Sequence, residues 1–163
     1  MPQPIAYEDA VDLLDADHKA VKKLFIDFNA LCEDEAPATD KQAVAEKICL
    51  ALTVHAQLEE ELFYPAVREA TGDDAMLDEA VLEHAQAKDA IAGIQAMDAG
   101  DEGFDEAVQQ LGKDIDHHVQ EEREDIFLKA RYAALDLRGM VPAMVKRKEQ
   151  LTKKAAAGRK AAA

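Results

Sequence analysis

Two segments of this chain each place a histidine and a glutamate four residues apart on what reads as the buried face of a helix: His55-Ala-Gln-Leu-Glu59 and His118-Val-Gln-Glu-Glu122. Four residues of α-helix turn through about 400°, so both side chains leave one face, roughly 6 Å apart along the axis. Steps of three and four from His55 pass back through Val44, Ile48 and Leu52, and beyond Glu59 through Leu62 and Ala66. The stripe of His118 runs through Phe104, Val108, Leu111 and Ile115, then Ile126. A bundle helix turns such stripes inward. The paired residues therefore hold core positions, where a carboxylate with no positive partner is costly.

Two more histidines sit in the same way. On a first helix, Val11, Leu14, Val21, Phe25 and Phe28 recur at three and four with His18 filling the gap, and on a third, His84 belongs to the series Leu77, Val81, Ile91, Ile94. The order repeats: Asp17-His18 with Lys22 precedes His55/Glu59, and Glu83-His84 with Lys88 precedes His118/Glu122 at nearly the same interval. Two helix pairs with equivalent polar positions imply pseudo-two-fold symmetry.

Only 7 glycines, 5 prolines and 5% aromatic residues stand among 48% hydrophobic residues, which favours helix over sheet. The expected fold is all-α, an antiparallel up-down four-helix bundle with a short additional C-terminal helix. Met1–Ala6 reads as irregular, and the first helix starts near Glu8. Thr39 with Gln42 has the form of a capping box opening a second helix, from about Lys41 to Glu69, whose last turn Pro65 bends. Thr71–Asp74 and Ala99–Gly103 are turns around a third helix, Ala75–Met97, and a fourth runs from Phe104 into the 130s. This divides the chain into a bundle over residues 1–138 and, over 139–163, a short helix (Val141–Leu151) followed by a disordered basic Lys/Ala-rich tail.

The net charge is −15, yet from Lys146 onward seven Lys/Arg face Glu149 alone, a local +6 that leaves −21 on the preceding body. Such a body repels nucleic acid and acidic membrane surfaces; the basic tail is the one segment suited to an acidic partner. No apolar run is long enough to span a bilayer and the N-terminus lacks a signal-peptide pattern, so a cytoplasmic location is expected. Cys32 and Cys49 have neither metal nor redox spacing and read as small apolar groups without a disulfide.

Four inward histidines and two inward glutamates, with no lysine or arginine on their stripes, fit a divalent metal site. Imidazole and carboxylate without thiolate suit iron or manganese, and zinc less exclusively. The ferritin-like di-metal bundles use Glu-x-x-His, whereas His-x-x-x-Glu and the excess of histidine here point elsewhere. In these residues, and in the runs Glu59-Glu60-Glu61-Leu62-Phe63-Tyr64-Pro65 and Glu122-Arg-Glu-Asp-Ile126-Phe127, the chain resembles the hemerythrin-like, HHE cation-binding family over about Val11 to Ala134.

The resemblance implies metal ligands His18, His55, Glu59, His84, His118 and Glu122 holding two non-haem iron ions, oxo- or hydroxo-bridged, with positions open to oxygen, nitric oxide or peroxide. Invertebrate oxygen carriers of this family have two histidines four apart on the third helix; here the partner of His84 is Lys88. They also space the last histidine and carboxylate by five, which would select His117, but His118 lies on the apolar stripe and His117 off it. Glu60, Glu61, Glu121 and Glu124 read as a solvated face, and Tyr64 as a core residue able to approach a metal held there. The function implied is binding of oxygen or a related ligand for sensing, storage or oxidative-stress protection. The alternatives are a catalase-like, peroxide-decomposing enzyme and an iron-handling or structural (zinc) metal protein.

Overall fold

The computed structural model describes residues 7–162, with side chains to residue 158. Among the described residues the chain is helical and contains no strand: α1 (Ala10–Glu33), α2 (Ala38–Leu58), α3 (Tyr64–Thr71), α4 (Asp74–Gln95), α5 (Phe104–Glu121), α6 (Phe127–Tyr132) and α7 (Val141–Ala162). Two π-helical turns, Glu59–Phe63 and Glu122–Ile126, join α2 to α3 and α5 to α6 without a break. Four antiparallel rods result, with α7 packed along α1 and α2. The expectation for Met1–Ala6 lies outside the described residues.

Local chemistry sets the ends of the rods. Asp9 accepts from the Asp12 N–H and Asp73 from the Met76 N–H, each capping a first turn. Gly72 (φ 69°) and Gly103 (φ 86°) take the left-handed conformation that the two turns require. Between α1 and α2 the expected capping box does not form. Pro37, at φ −55°, is already disposed to enter a helix and α2 begins at Ala38, which leaves Thr39 inside its first turn. The start of α1 is tied to the far end of the chain: the Ala10 N–H donates to the Leu137 carbonyl at 2.9 Å, and Arg131 pairs with Asp9 at 2.7 Å.

The π turns change the register of the apolar stripe. The Tyr64 N–H reaches back five residues to the Glu59 carbonyl, and the Phe127 N–H does the same to Glu122. One extra residue per turn moves the inward face by one position. Leu62 and Ala66, the inward residues of an unbroken α-helix, are only half buried, whereas Phe63, Tyr64 and Val67 are buried. Pro65 follows the first π turn, but no proline follows the second, so proline does not account for the widening. What the two turns share is a buried glutamate at their first residue.

The core falls into two clusters separated by a polar layer. One gathers Leu14, Leu58, Phe63, Leu77 and Phe127 at the π-turn end; the other gathers Phe28, Ile48, Ile94, Phe104 and Leu111 at the far end. Cys49 lies in the second cluster, where burial pushes its thiol up to about 11, so it is inert at neutral pH. The C-terminal helix reaches Ala162 rather than ending near Leu151, since a Lys/Ala-rich stretch has strong intrinsic helix propensity. It contributes Met144 (0% exposed) and Leu151 (3%) to the first cluster, against Leu13, Val54 and Leu58. Among the described residues no helix is long and apolar enough to cross a membrane.

Because Met144 completes the core, Met144→Ala is expected to destabilise the fold by about 2–5 kcal/mol. A urea denaturation midpoint equal to that of the unaltered protein would show α7 to be an accessory.

Candidate metal centre

The polar layer consists of His18 from α1, His55 from α2, His84 from α4 and His118 from α5, with Glu59 and Glu122 at the first residues of the two π turns. The structure brings all six residues together. None is more than 7% exposed, and Glu59 is fully buried. His117 is not among them: its side chain is 69% exposed and pairs with Glu121 at 3.0 Å.

Every inward-facing histidine atom is Nε2. His18 Nε2 lies 3.1 Å from His55 Nε2 and 3.1 Å from Glu122 Oε1; His55 Nε2 lies 3.1 Å from Glu59 Oε1. On the other half, His84 Nε2 lies 3.3 Å from Glu59 Oε1 and His118 Nε2 lies 3.5 Å from Glu122 Oε2. The ligand-capable atoms form two groups, His18, His55, Glu59, Glu122 and Glu59, His84, His118, Glu122, each within 4.8 Å and both using the two glutamates. First-row metal bonds of about 2.0–2.2 Å produce a similar spread around one ion.

A layer of acidic side chains faces the outer edge of the imidazoles. His55 Nδ1 lies 3.0 Å from Asp17, His118 Nδ1 3.0 Å from Glu83, and His84 Nδ1 3.2 Å from Glu60. A carboxylate only accepts, so in each pair Nδ1 carries the hydrogen and the Nε2 lone pair points inward. Asp15 stands 3.6 Å from His18 Nδ1 and is held by Arg123 at 2.6 Å. Lys148 of α7 contacts Asp17 at 2.5 Å and so reaches the His55 edge indirectly.

Lone pairs thus converge on lone pairs. Both Glu59 oxygens, Glu122 Oε1, His118 Nε2 and His18 Nδ1 are buried with no hydrogen-bond partner in good geometry. A native core rarely tolerates such atoms, and the four that face inward, the two Glu59 oxygens, Glu122 Oε1 and His118 Nε2, delimit a place for cations. Without a metal, protons must supply the positive charge. Burial alone would depress His55, but Glu59 and Asp17 hold it well above 6.5. His118 is likewise lowered by burial and raised more by Glu122 and Glu59, to about 9. Burial would lift Glu122, yet His118 and His18 keep it well below 4.5.

Tyr64 and Phe127 occupy equivalent places, each five residues after a buried glutamate. Tyr64 stacks on His84 (centroids 5.4 Å apart) and Phe127 on His18 (5.7 Å), so only one half of the site carries a hydroxyl. That hydroxyl donates to Glu122 Oε2 at 2.5 Å and lies 3.4 Å from His84 Nε2. Burial and the carboxylates of Glu59 and Glu122 keep it protonated far above its ordinary range.

Sequence patterning locates the six buried residues but not the carboxylates behind them. The signal was present for two, since Asp17 and Glu83 each immediately precede an inward histidine. Glu60 carried none: it looks like one more acid on a solvated face, yet it holds both His84 and, at 3.4 Å, Lys88. On the side of the cluster facing the second core region, a cavity of about 30 Å³ is bounded by all four imidazoles together with Val21, Leu52, Ile91 and Ile115.

The family model of the hemerythrin HHE cation binding domain matches residues 9–130. No curated protein matches the sequence. The fold is similar to that of the crystal structure of a hemerythrin HHE cation binding domain-containing protein from Mycobacterium kansasii (TM-score 0.73, 22% identity, covering 90% of this chain and 88% of that one). With a matching model over most of its length and a buried His/Glu cluster suited to a metal, the chain belongs to the hemerythrin HHE cation-binding domain family.

Proposed function

We propose that the cluster holds two iron ions bridged by Glu59 and Glu122, with His18 and His55 on one and His84 and His118 on the other. The chain would use them to bind oxygen or a related small ligand. The observation that carries this reading is the cavity beside the four imidazoles. At about 30 Å³, with aliphatic side chains beside the imidazoles, it has room for a diatomic molecule or a single peroxide. Two imidazole nitrogens and two carboxylate oxygens per ion leave positions vacant on a metal that prefers six, so an incoming ligand finds room. The metals supply electrons and Lewis acidity when bound; the chain supplies orientation and dryness. Asp17, Glu60 and Glu83 fix the imidazoles, while Val21, Leu52, Ile91 and Ile115 keep bulk water out.

Tyr64 favours a second reading, decomposition of peroxide. Two molecules of hydrogen peroxide become one of oxygen and two of water only if protons move between the oxygens. The Tyr64 hydroxyl is a protonated, buried group at the site that can give and regain one. Pure ligand binding needs no such group.

Metal analysis after expression in iron-rich medium is expected to find about two irons per chain, lost in Glu59→Ala or Glu122→Ala. Zinc alone, or no metal, would sink the reading. A reversible oxygen-dependent visible band without peroxide turnover identifies the binder. Oxygen evolution from added peroxide identifies the enzyme, and Tyr64→Phe should then slow it about 100-fold or more while leaving the iron content unchanged.

Acidity separates the metal-free from the loaded protein. In the former, the stability contributed by raised His55 and His118 is complete below pH 6.5 and is lost as pH rises, through about 9 for His118. The contribution of depressed Glu122 is complete above pH 4.5 and is lost below it. Metal-free protein should therefore melt highest between pH 4.5 and 6.5. Loaded protein should show the opposite trend above pH 6.5, because the metal binds deprotonated imidazole. Parallel melting curves for the two forms would contradict protons and metal sharing one site.

A further inference from the structure

The pseudo-two-fold repeat has one feature that neither ligand binding nor catalysis uses. Matching His18, His55 and Glu59 to His84, His118 and Glu122 pairs Leu13 with Glu79, Leu58 with Glu121, Leu62 with Asp125 and Val54 with His117. On the α1–α2 side, Leu13 and Leu58 are 0% exposed and belong to the core cluster that α7 completes through Met144 and Leu151. On the α4–α5 side, among the described residues, no helix lies over the equivalent positions, and these four apolar residues are replaced by three acids and a histidine.

Here a pocket of about 30 Å³ opens, lined by Glu79, Glu83, Glu121 and Asp125. Its inner wall is His118 and Glu122, buried to 7% and 1% exposure, and each has a polar atom that finds no hydrogen-bond partner. At the mouth, Glu83, His117 and Glu121 bring three ligand-capable atoms within 4.8 Å of one another. Among the described residues no lysine or arginine is in ion-pair contact with Glu79, Glu83, Glu121 or Asp125. Glu83 and Glu121 pair instead with the imidazoles of His118 and His117.

We propose that this pocket is the route by which a divalent cation enters the buried cluster, with Glu83, His117 and Glu121 forming a transient first site at its mouth. The inference rests on the metal-centre reading above and adds to it a path and a second, weaker site. Glu83 links the two, since the same side chain that belongs to the mouth group holds His118 Nδ1 at 3.0 Å. A cation that exchanges waters for the mouth ligands is then one residue along α5 from Glu122, the first buried oxygen donor. Stepwise replacement of water by carboxylate avoids stripping a hydrated ion in one event.

Two wider openings onto the site suit cations poorly. A groove of about 290 Å³ between α1 and α5 reaches His18 but is lined by Lys19, Lys22, Lys113 and Arg123. One of about 250 Å³ between α1, α2 and α7 reaches His55, but Lys148 sits on Asp17 across its inner end. Each carries ammonium or guanidinium groups on its lining, whereas the narrower α4–α5 pocket, which Met76, Ala80 and Ile126 also line, carries no cationic side chain but His118. Focused negative potential in a cleft raises cation on-rates by about 10–1,000-fold.

The test mixes metal-free protein rapidly with cobalt(II), whose visible absorption reports imidazole and carboxylate binding. The combined variant Glu79→Gln, Glu121→Gln, Asp125→Asn is expected to load at least about tenfold more slowly, with a weaker dependence on salt, and to reach the same final cobalt per chain. Lys22→Gln with Lys113→Gln should leave the rate unchanged or raise it. Should the combined variant lose its helical circular dichroism, exposed Glu79→Gln alone carries the same test with a smaller slowing. An unaltered loading rate at full final occupancy overturns the route and leaves the metal centre standing. A reduced final occupancy at unaltered rate overturns it too, by making these acids part of the cluster itself. No uptake by the unaltered protein overturns both readings.

Discussion

Two carboxylates buried to 0% and 1% exposure in the middle of a helical bundle are the constraint on which the rest depends. Each would carry a desolvation penalty of several kcal/mol if left ionised and unpaired. Apart from the Tyr64 hydroxyl, which donates to Glu122, imidazole is the group on the inward stripes that offsets it, and it does so as imidazolium or as a ligand to a shared cation. The outer acids settle which ring atom faces in. With Nδ1 donating to Asp17, Glu60 or Glu83, the inward nitrogens are bare, and the layer is complete only when a positive charge occupies its centre. The division of the core into two clusters follows, because no apolar side chain can cross the polar level.

Much of this was legible in the chain itself. Inward periodicity depends on residue type and spacing, so four stripes and six interrupting polar residues could be read without knowing any contact. The register beyond Glu59 could not. Counting in threes and fours assumes 3.6 residues per turn, and a π turn inserts one residue that no local propensity announces. Phe63 and Val67 replace Leu62 and Ala66 at the core for that reason alone. Glu60 was hidden differently: its role depends on how close α4 approaches α2, which is a tertiary quantity. Beyond Leu151 the Lys/Ala-rich sequence of α7 favours helix by propensity but carries little apolar periodicity, so the amphipathic signal fades before the helix does.

The π turns tie backbone to chemistry. In an unbroken α-helix the residue facing the site one turn after Glu59 would be Leu62 or Phe63; the widened turn instead brings Tyr64 over His84, and its counterpart brings Phe127 over His18. Both rings shield an imidazole face, which is a packing role that either residue fills. The hydroxyl differs. It adds a hydrogen bond to Glu122 in one half and nothing in the other, so the two halves of a nearly symmetric site are not equivalent.

That inequivalence extends outward in a consistent direction. Beside His18 the supporting group is Asp15 tied to Arg123, while beside His84 it is Glu60 tied to Lys88, so the residue after each buried glutamate has opposite charge in the two halves. The C-terminal helix then breaks the symmetry further, packing apolar side chains onto the α1–α2 face and leaving the α4–α5 face to its acids. A duplicated helix pair by itself would produce a site with two equal sides. Covering only one of them makes the sides unlike, one adding apolar side chains to the core and the other keeping its acids at the surface, and a single added helix suffices to create the distinction.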